Sequence, residues 1–149
     1  MKTNPGMTLI VKTVTRISVW LIILYGFYII LHGHLSPGGG FAGGVIIALA
    51  FLNVMLAYGH ETITRWLSLQ FMHDLEPAAG ALYLAIGVLG IALGGRFLAN
   101  FLPKGTLFDL WSSGNILVLN IIIGIKVAMG LSTVVWTLAV FRLYQGGDK

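Results

Sequence analysis

Apolar residues run in four long, nearly unbroken stretches, at about 14–31, 41–58, 78–95 and 116–141. They lack the period-two or three-to-four alternation of half-buried elements in a soluble chain. A hydrocarbon core about 30 Å thick takes roughly 20 mostly apolar residues per spanning helix, and each stretch is close to that length. The polar run Gly59-His60-Glu61 closes the second, Pro77 opens the third, and Gly95-Arg96 ends it. Only Asn120, Lys126 and a few hydroxyls interrupt the fourth. The pattern predicts an all-α integral membrane protein, with residues 1–149 forming one four-span transmembrane domain and no separate extramembrane domain. The first stretch follows Lys2, Lys12 and Arg16, as a secretion signal would, but His32-Gly33-His34-Leu35-Ser36-Pro37 replaces a small-residue cleavage site. It is read as a retained helix.

Composition supports the same class. The chain is 57% apolar and 9% charged, against about a quarter charged in soluble domains. Its net charge of +4 is dispersed along the chain and forms no nucleic-acid-binding patch. With no cysteine there is no disulfide, thiol nucleophile or cysteine-based metal site. No cofactor is expected. Lys2, Lys12, Arg16, Arg65, Arg142 and Lys149 fall on one side of the predicted topology, Arg96 and Lys104 on the other. The excess places both termini in the cytoplasm, and the loops at 33–40 and 100–115 outside. Trp66 and Trp111 lie in loops near span ends, where aromatic rings favour the headgroup region. Residues 105–114 (GTLFDLWSSG) are too apolar for a free loop and too few to span, which predicts an interfacial or re-entrant piece.

Twenty glycines mark the packing faces. Gly40, Gly44 and Ala48 recur every four residues, Gly39 and Gly43 repeat the offset, and Gly80, Gly87 and Gly94 recur every seven, with Gly90 between. Residues at these spacings share a helix face, and small faces let helices pack closely in lipid. The first use of such grooves is packing among the chain's own helices; contact with other subunits is the alternative. Residues 36–44, including Pro37, Gly38, Gly39 and Gly40, superficially resemble a phosphate loop but lack its Lys-Ser/Thr pair. They read as a turn into the second helix.

Lys126 is the residue least suited to lipid. It lies about ten residues, roughly 15 Å, into the fourth stretch, where an unpaired lysine costs about 2.5–3.5 kcal/mol on insertion scales. Asn115, Gly130, Thr133 and Thr137 share its face at offsets of −11, +4, +7 and +11. No acidic residue falls inside the four stretches at these bounds. Asp74 and Glu76 lie at the inner rim and Asp109 at the outer, so a midplane partner is expected from another subunit or from water. Lys126 is therefore the central candidate for an ion or proton pathway, with Asp109, Asp74 and Glu76 as candidate mouths; a structural contact between subunits is the alternative. His32 and His34 point about 200° apart on a helix and cannot share a metal there; a pH-sensitive contact at a pathway mouth is their other reading. Asn53 and Asn120 are expected to form interhelical hydrogen bonds. No nucleophile, base and orienting group assemble into a triad.

The opening Met1-Lys2-Thr3, the His32-Gly33-His34 helix end, the run SPGGGFAGG at 36–44 and the run IGIKVAMGL at 123–131 resemble the MnhB subunit family of the Mrp (Mnh) multisubunit Na+/H+ antiporters. The resemblance covers nearly the whole chain. It implies a small plasma-membrane subunit, bacterial or archaeal, with no catalysis of its own, in a complex exchanging sodium for protons beside large subunits related to those of respiratory complex I. Equivalent subunits occur in membrane-bound hydrogenases and related archaeal redox complexes, where a purely scaffolding role is the alternative. The sequence departs from that family pattern at 109–120, so only Lys126 is carried over as a candidate pathway residue.

Overall fold

The computed structural model describes residues 7–35, 37–59, 68–103, 105–106 and 112–146. They form four helices: α1 (Leu9–Leu31), α2 (Gly40–Tyr58), α3 (Leu69–Gly94) and α4 (Asn115–Gly146). All four contain stretches long and apolar enough to cross a membrane. The exterior is correspondingly apolar, with Trp20, Leu24, Leu84, Leu93 and Leu138 all exposed.

α1 and α2 form an antiparallel hairpin. Near its open end Met7 N–H donates to the Ala57 carbonyl at 3.0 Å, and the Tyr58 hydroxyl donates to the Lys12 carbonyl at 2.9 Å. Nearer the turn Gly26 and Gly43 face each other: a Cβ at Gly26 would stand 2.7 Å from Ile47 Cγ1 and 3.2 Å from the Gly43 carbonyl oxygen. α4 is the central helix, packing on α2, on α3 and, lightly, on α1. It runs parallel to α2, since Gly40 lies against Asn120 and Gly44 against Gly124 and Val127. Ile30, Ile47 and Ala128 join the three helices in the core, flanked by Phe51 and Ile121.

α3 departs from the sequence expectation. It begins at Leu69, nine residues before position 78, with the Ser68 hydroxyl accepting from Phe71 N–H at 3.1 Å as an N-cap. Pro77 lies inside the helix. Membrane helices tolerate such a proline because neighbouring groups compensate for the missing N–H. Polar His73, Asp74 and Glu76 followed by proline look like a loop and a helix start, yet they are the first turns of the helix itself.

Gly95, at φ +71°, ends α3 in the left-handed conformation. The chain then folds back along α3. The Phe97 ring covers Gly87, the backbone of Leu98 and Ala99 lies over Gly90, and Ala99 sits against Gly94. Leu98 N–H points to the Gly87 carbonyl at 3.4 Å. Gly87, Gly90 and Gly94 thus receive the chain's own return segment rather than another helix. The segment 97–99 lies back against α3, while residues 107–111 of the 105–114 stretch expected to be interfacial or re-entrant lie outside the described residues.

Asn115 joins this segment to α4. Its amide donates to the Ala99 carbonyl at 2.9 Å, its side-chain oxygen accepts from Leu102 N–H at 3.3 Å, and its own N–H donates to Asn100 Oδ1 at 3.1 Å. It is 2% exposed, so it holds the loop and is not part of an open polar face with Lys126. Asn115→Ala should strand two loop groups and cost about 1–3 kcal/mol. The check is thermal unfolding of the purified protein in detergent, and an unchanged midpoint would contradict the assignment.

Candidate functional site

The polar centre of the molecule lies between α3 and α4. Lys126 Nζ stands 3.7 Å from Glu76 Oε1. The expectation that no acid lies inside a span, and that Lys126 must find its partner elsewhere, is corrected: extending α3 back through Pro77 carries Glu76 into the spanning helix. Glu76 is six residues into the apolar stretch Gln70–Gly94, or about 9 Å at ~1.5 Å per residue.

Glycines make room for both charges. A Cβ at Gly80 would stand 3.5 Å from Lys126 Nζ, and one at Gly130 would stand 3.2 Å from the Glu76 carboxyl carbon. Each helix therefore carries a charged residue with a glycine four positions on, 76 and 80 on α3, 126 and 130 on α4. In an antiparallel pair each charge lies over the other helix's glycine. The repeated charge-x-x-x-Gly spacing is the sequence signal that identifies this pair.

The contact is open. At 3.7 Å it exceeds hydrogen-bonding distance, and among the described residues neither group makes a hydrogen bond. The lysine side chain is 48% exposed and the glutamate 39%. The pair thus sits on the lateral face of the chain, within two of the helices long and apolar enough to span a membrane.

The other candidate residues are dispersed. Asp74 pairs with His73 at 3.8 Å, both largely exposed, and does not join Lys126. Thr133 donates to the Met129 carbonyl at 2.9 Å and Thr137 to that of Thr133 at 2.8 Å, so both hydroxyls are used within α4. His32 lies at the end of α1, stacked on Tyr28 with ring centres 4.2 Å apart and its Nδ1 3.1 Å from the Tyr28 carbonyl. His34 is in the same turn. Pro37 and Gly38 are exposed there, while Gly39, at φ +129°, precedes the close-packed Gly40, Gly43 and Gly44. Asp109, Ser36, Lys104, Trp66 and Trp111 lie outside the described residues.

Of the two span asparagines, Asn120 sets its side chain against Gly33 and Gly39 of the turn. Asn53, expected to bond another helix, is exposed on α2 and lines an apolar groove of about 540 Å³ with Leu21, Tyr25, Leu49 and Leu56. The sequence marks Gly80 as a packing glycine but not as the residue facing Lys126, and it gives no sign of the roles of Asn100 and Phe97. Nor does it mark Ser132 Oγ and Trp136 Nε1, buried beside Met55 and Met72 without hydrogen-bond partners among the described residues.

Four spanning helices and a charge pair held between two of them define a multi-pass α-helical membrane protein with an intramembrane ion pair. Residues 10–133 match the family described as a domain related to the MnhB subunit of Na+/H+ antiporter, and the chain belongs to that family. It is 39% identical over 125 residues to an uncharacterized protein of Methanocaldococcus jannaschii, covering 80% of this chain and 47% of that one. It is 37% identical over 101 residues to an Na+/H+ antiporter subunit of Bacillus subtilis, covering 66% of each. Among solved structures it is similar to a chain of the membrane-bound sulfane sulfur reductase, an archaeal respiratory membrane complex. That match has a TM-score of 0.77 and 34% identity over 93% of this chain and 60% of the other. The chain thus spans about half to two thirds of these relatives.

Proposed function

We propose that this chain is a membrane subunit of a multisubunit complex that exchanges a monovalent cation, sodium first, for protons, and that its α3–α4 face lines part of the ion route against a neighbouring subunit. In this reading both termini are cytoplasmic and the chain carries no catalysis of its own. The half-exposed Glu76–Lys126 pair is the observation that carries it. Charged side chains within spans face a bundle interior or a hydrated cavity rather than lipid, so another subunit covers this face and encloses water with it. The role of the Bacillus relative as an Na+/H+ antiporter subunit supports the exchange. The similarity to a reductase-complex chain favours a second setting, in which a redox arm drives the same ion movement.

The test is a tagged purification from native membranes followed by reconstitution. Antiporter subunits alone support the first setting, and redox subunits beside them the second. In either, Glu76→Gln and Lys126→Gln should lower ion exchange per assembled complex by at least about tenfold, equivalent to about 1.4 kcal/mol on the barrier. Wild-type exchange in both variants would leave the chain as a scaffold.

A further inference from the structure

We propose that Glu76 and Lys126 form a one-cation exchange site, in which the Glu76 carboxylate faces either the Lys126 ammonium or a sodium ion and sodium entry releases the lysine's proton. This rests on the ion-route reading above and assigns the exchanging groups within it.

Neutrality is the first reason. Net charge within the membrane is costly, so a single carboxylate here is best balanced by one cation at a time. The ammonium supplies that charge in the structure, at 3.7 Å. A second cation arriving while the lysine stays protonated would leave the site with net charge +1. Sodium in place of the lysine's proton leaves it neutral: carboxylate–ammonium plus Na+ and water gives carboxylate–Na+, a neutral amine and a hydronium ion. Nothing is oxidised or reduced, and one positive charge enters as one leaves.

The pair is also built to be displaced. Neither group is held by a hydrogen bond among the described residues, and both are reachable from the lateral face. Gly80 and Gly130 leave the ammonium and the carboxylate without a facing side chain to lock them. Pro77, next in the chain after Glu76, has no N–H for the His73 carbonyl, and carbonyls freed in this way are sodium ligands in membrane proteins. Lysine, unlike arginine, carries a proton that can be exchanged.

Among the described residues, few other titratable groups bear on the pair. α3 also carries His73 and Asp74, paired with each other, and Tyr83 two turns beyond Glu76. α4 carries no other ionisable residue between Asn115 and Phe141. On α2 there is Tyr58, bonded to the Lys12 carbonyl, and α1 contributes Lys12, Arg16, Tyr25 and Tyr28. His73 and Asp74 are close in sequence but paired with each other and exposed, so among the described residues Glu76 and Lys126 are the pair that face each other.

The experiment follows the rise in melting temperature of the assembled complex with added NaCl, against choline chloride at equal ionic strength, since a bound cation stabilises the state that binds it. In the wild type, the NaCl concentration at half-maximal rise should fall about tenfold per pH unit between about pH 7 and 9, as protons compete less well. Glu76→Gln should remove this response. Lys126→Arg, which keeps the charge but not the exchangeable proton, should remove it too. Lys126→Gln should retain a response that no longer depends on pH. A Lys126→Arg complex responding like the wild type overturns the inference, and so does a wild-type midpoint that ignores pH, a reading that needs no variant to assemble. If Glu76→Gln abolishes exchange while Lys126→Arg does not, this inference fails and the ion-route reading stands; if neither Gln variant affects exchange, both fail.

Discussion

Gly40→Val should nearly eliminate folded protein from the membrane. A Cβ at Gly40 would overlap the Asn120 carbonyl oxygen and come within 2.9 Å of Ile123 Cβ. The obstacle is backbone in the central helix, which cannot rotate aside as a side chain tip does. α2 and α4 would have to separate along the seam that also holds Gly44 so close to α4 that a Cβ there would stand 2.7 Å from the Gly124 carbonyl oxygen, and Gly124 against Ile30. Loss of that seam removes close packing, the main attraction between helices in lipid. Overpacking of this kind costs about 3 kcal/mol at its upper end, roughly a hundredfold in the folded-to-unfolded ratio. Immunodetection of tagged protein in membranes, with proteolytic resistance as the measure of folding, reads the effect. Gly130→Ala is the informative control, because the nearest atoms there belong to the Glu76 carboxylate, the movable end of a flexible chain. It should fold normally. Equal loss in both variants would mean that glycine content, rather than the α2–α4 seam, limits folding.

Much of this architecture is legible in the sequence because lipid imposes a simple rule. Apolar runs of the right length must be helices, and the glycine spacing at 40, 44 and 43 marks where they meet. What the sequence hides is set by tertiary context. Pro77 after three polar residues reads as a helix start because local propensity says so, whereas the membrane helix continues through it once α4 lies alongside. That one misplacement put Glu76 on the rim and left Lys126 without a partner. The glycines at 87, 90 and 94 have the spacing of a helix-packing face, and periodicity cannot distinguish a helix from the chain's own return segment as the occupant. Asn115 shares the helical face of Lys126 by arithmetic, yet as the first residue of α4 it is taken up by the loop it caps.

Glu76→Gln and Lys126→Gln should each destabilise the protein more than the two changes together. Either single change leaves one charge at a depth where an unpaired ion costs about 2.5–3.5 kcal/mol on insertion scales. The double variant replaces both with neutral amides and carries no orphan charge. The coupling between the two sites should therefore exceed about 1 kcal/mol, the upper end of the roughly 0.2–1 kcal/mol of an ion pair in free contact with water. Buried pairs behave this way because the attraction is felt mostly as the penalty for losing one partner. Thermal unfolding of the four members of the cycle, each in the assembled complex, measures the coupling directly. A value near zero would mean that the pair is bathed in bulk water, and the α3–α4 face would then line an open aqueous vestibule instead of a narrow contact with its neighbour. A coupling above about 1 kcal/mol places the pair in a desolvated seam, the condition under which a lone carboxylate can discriminate between a proton-bearing amine and a bare cation.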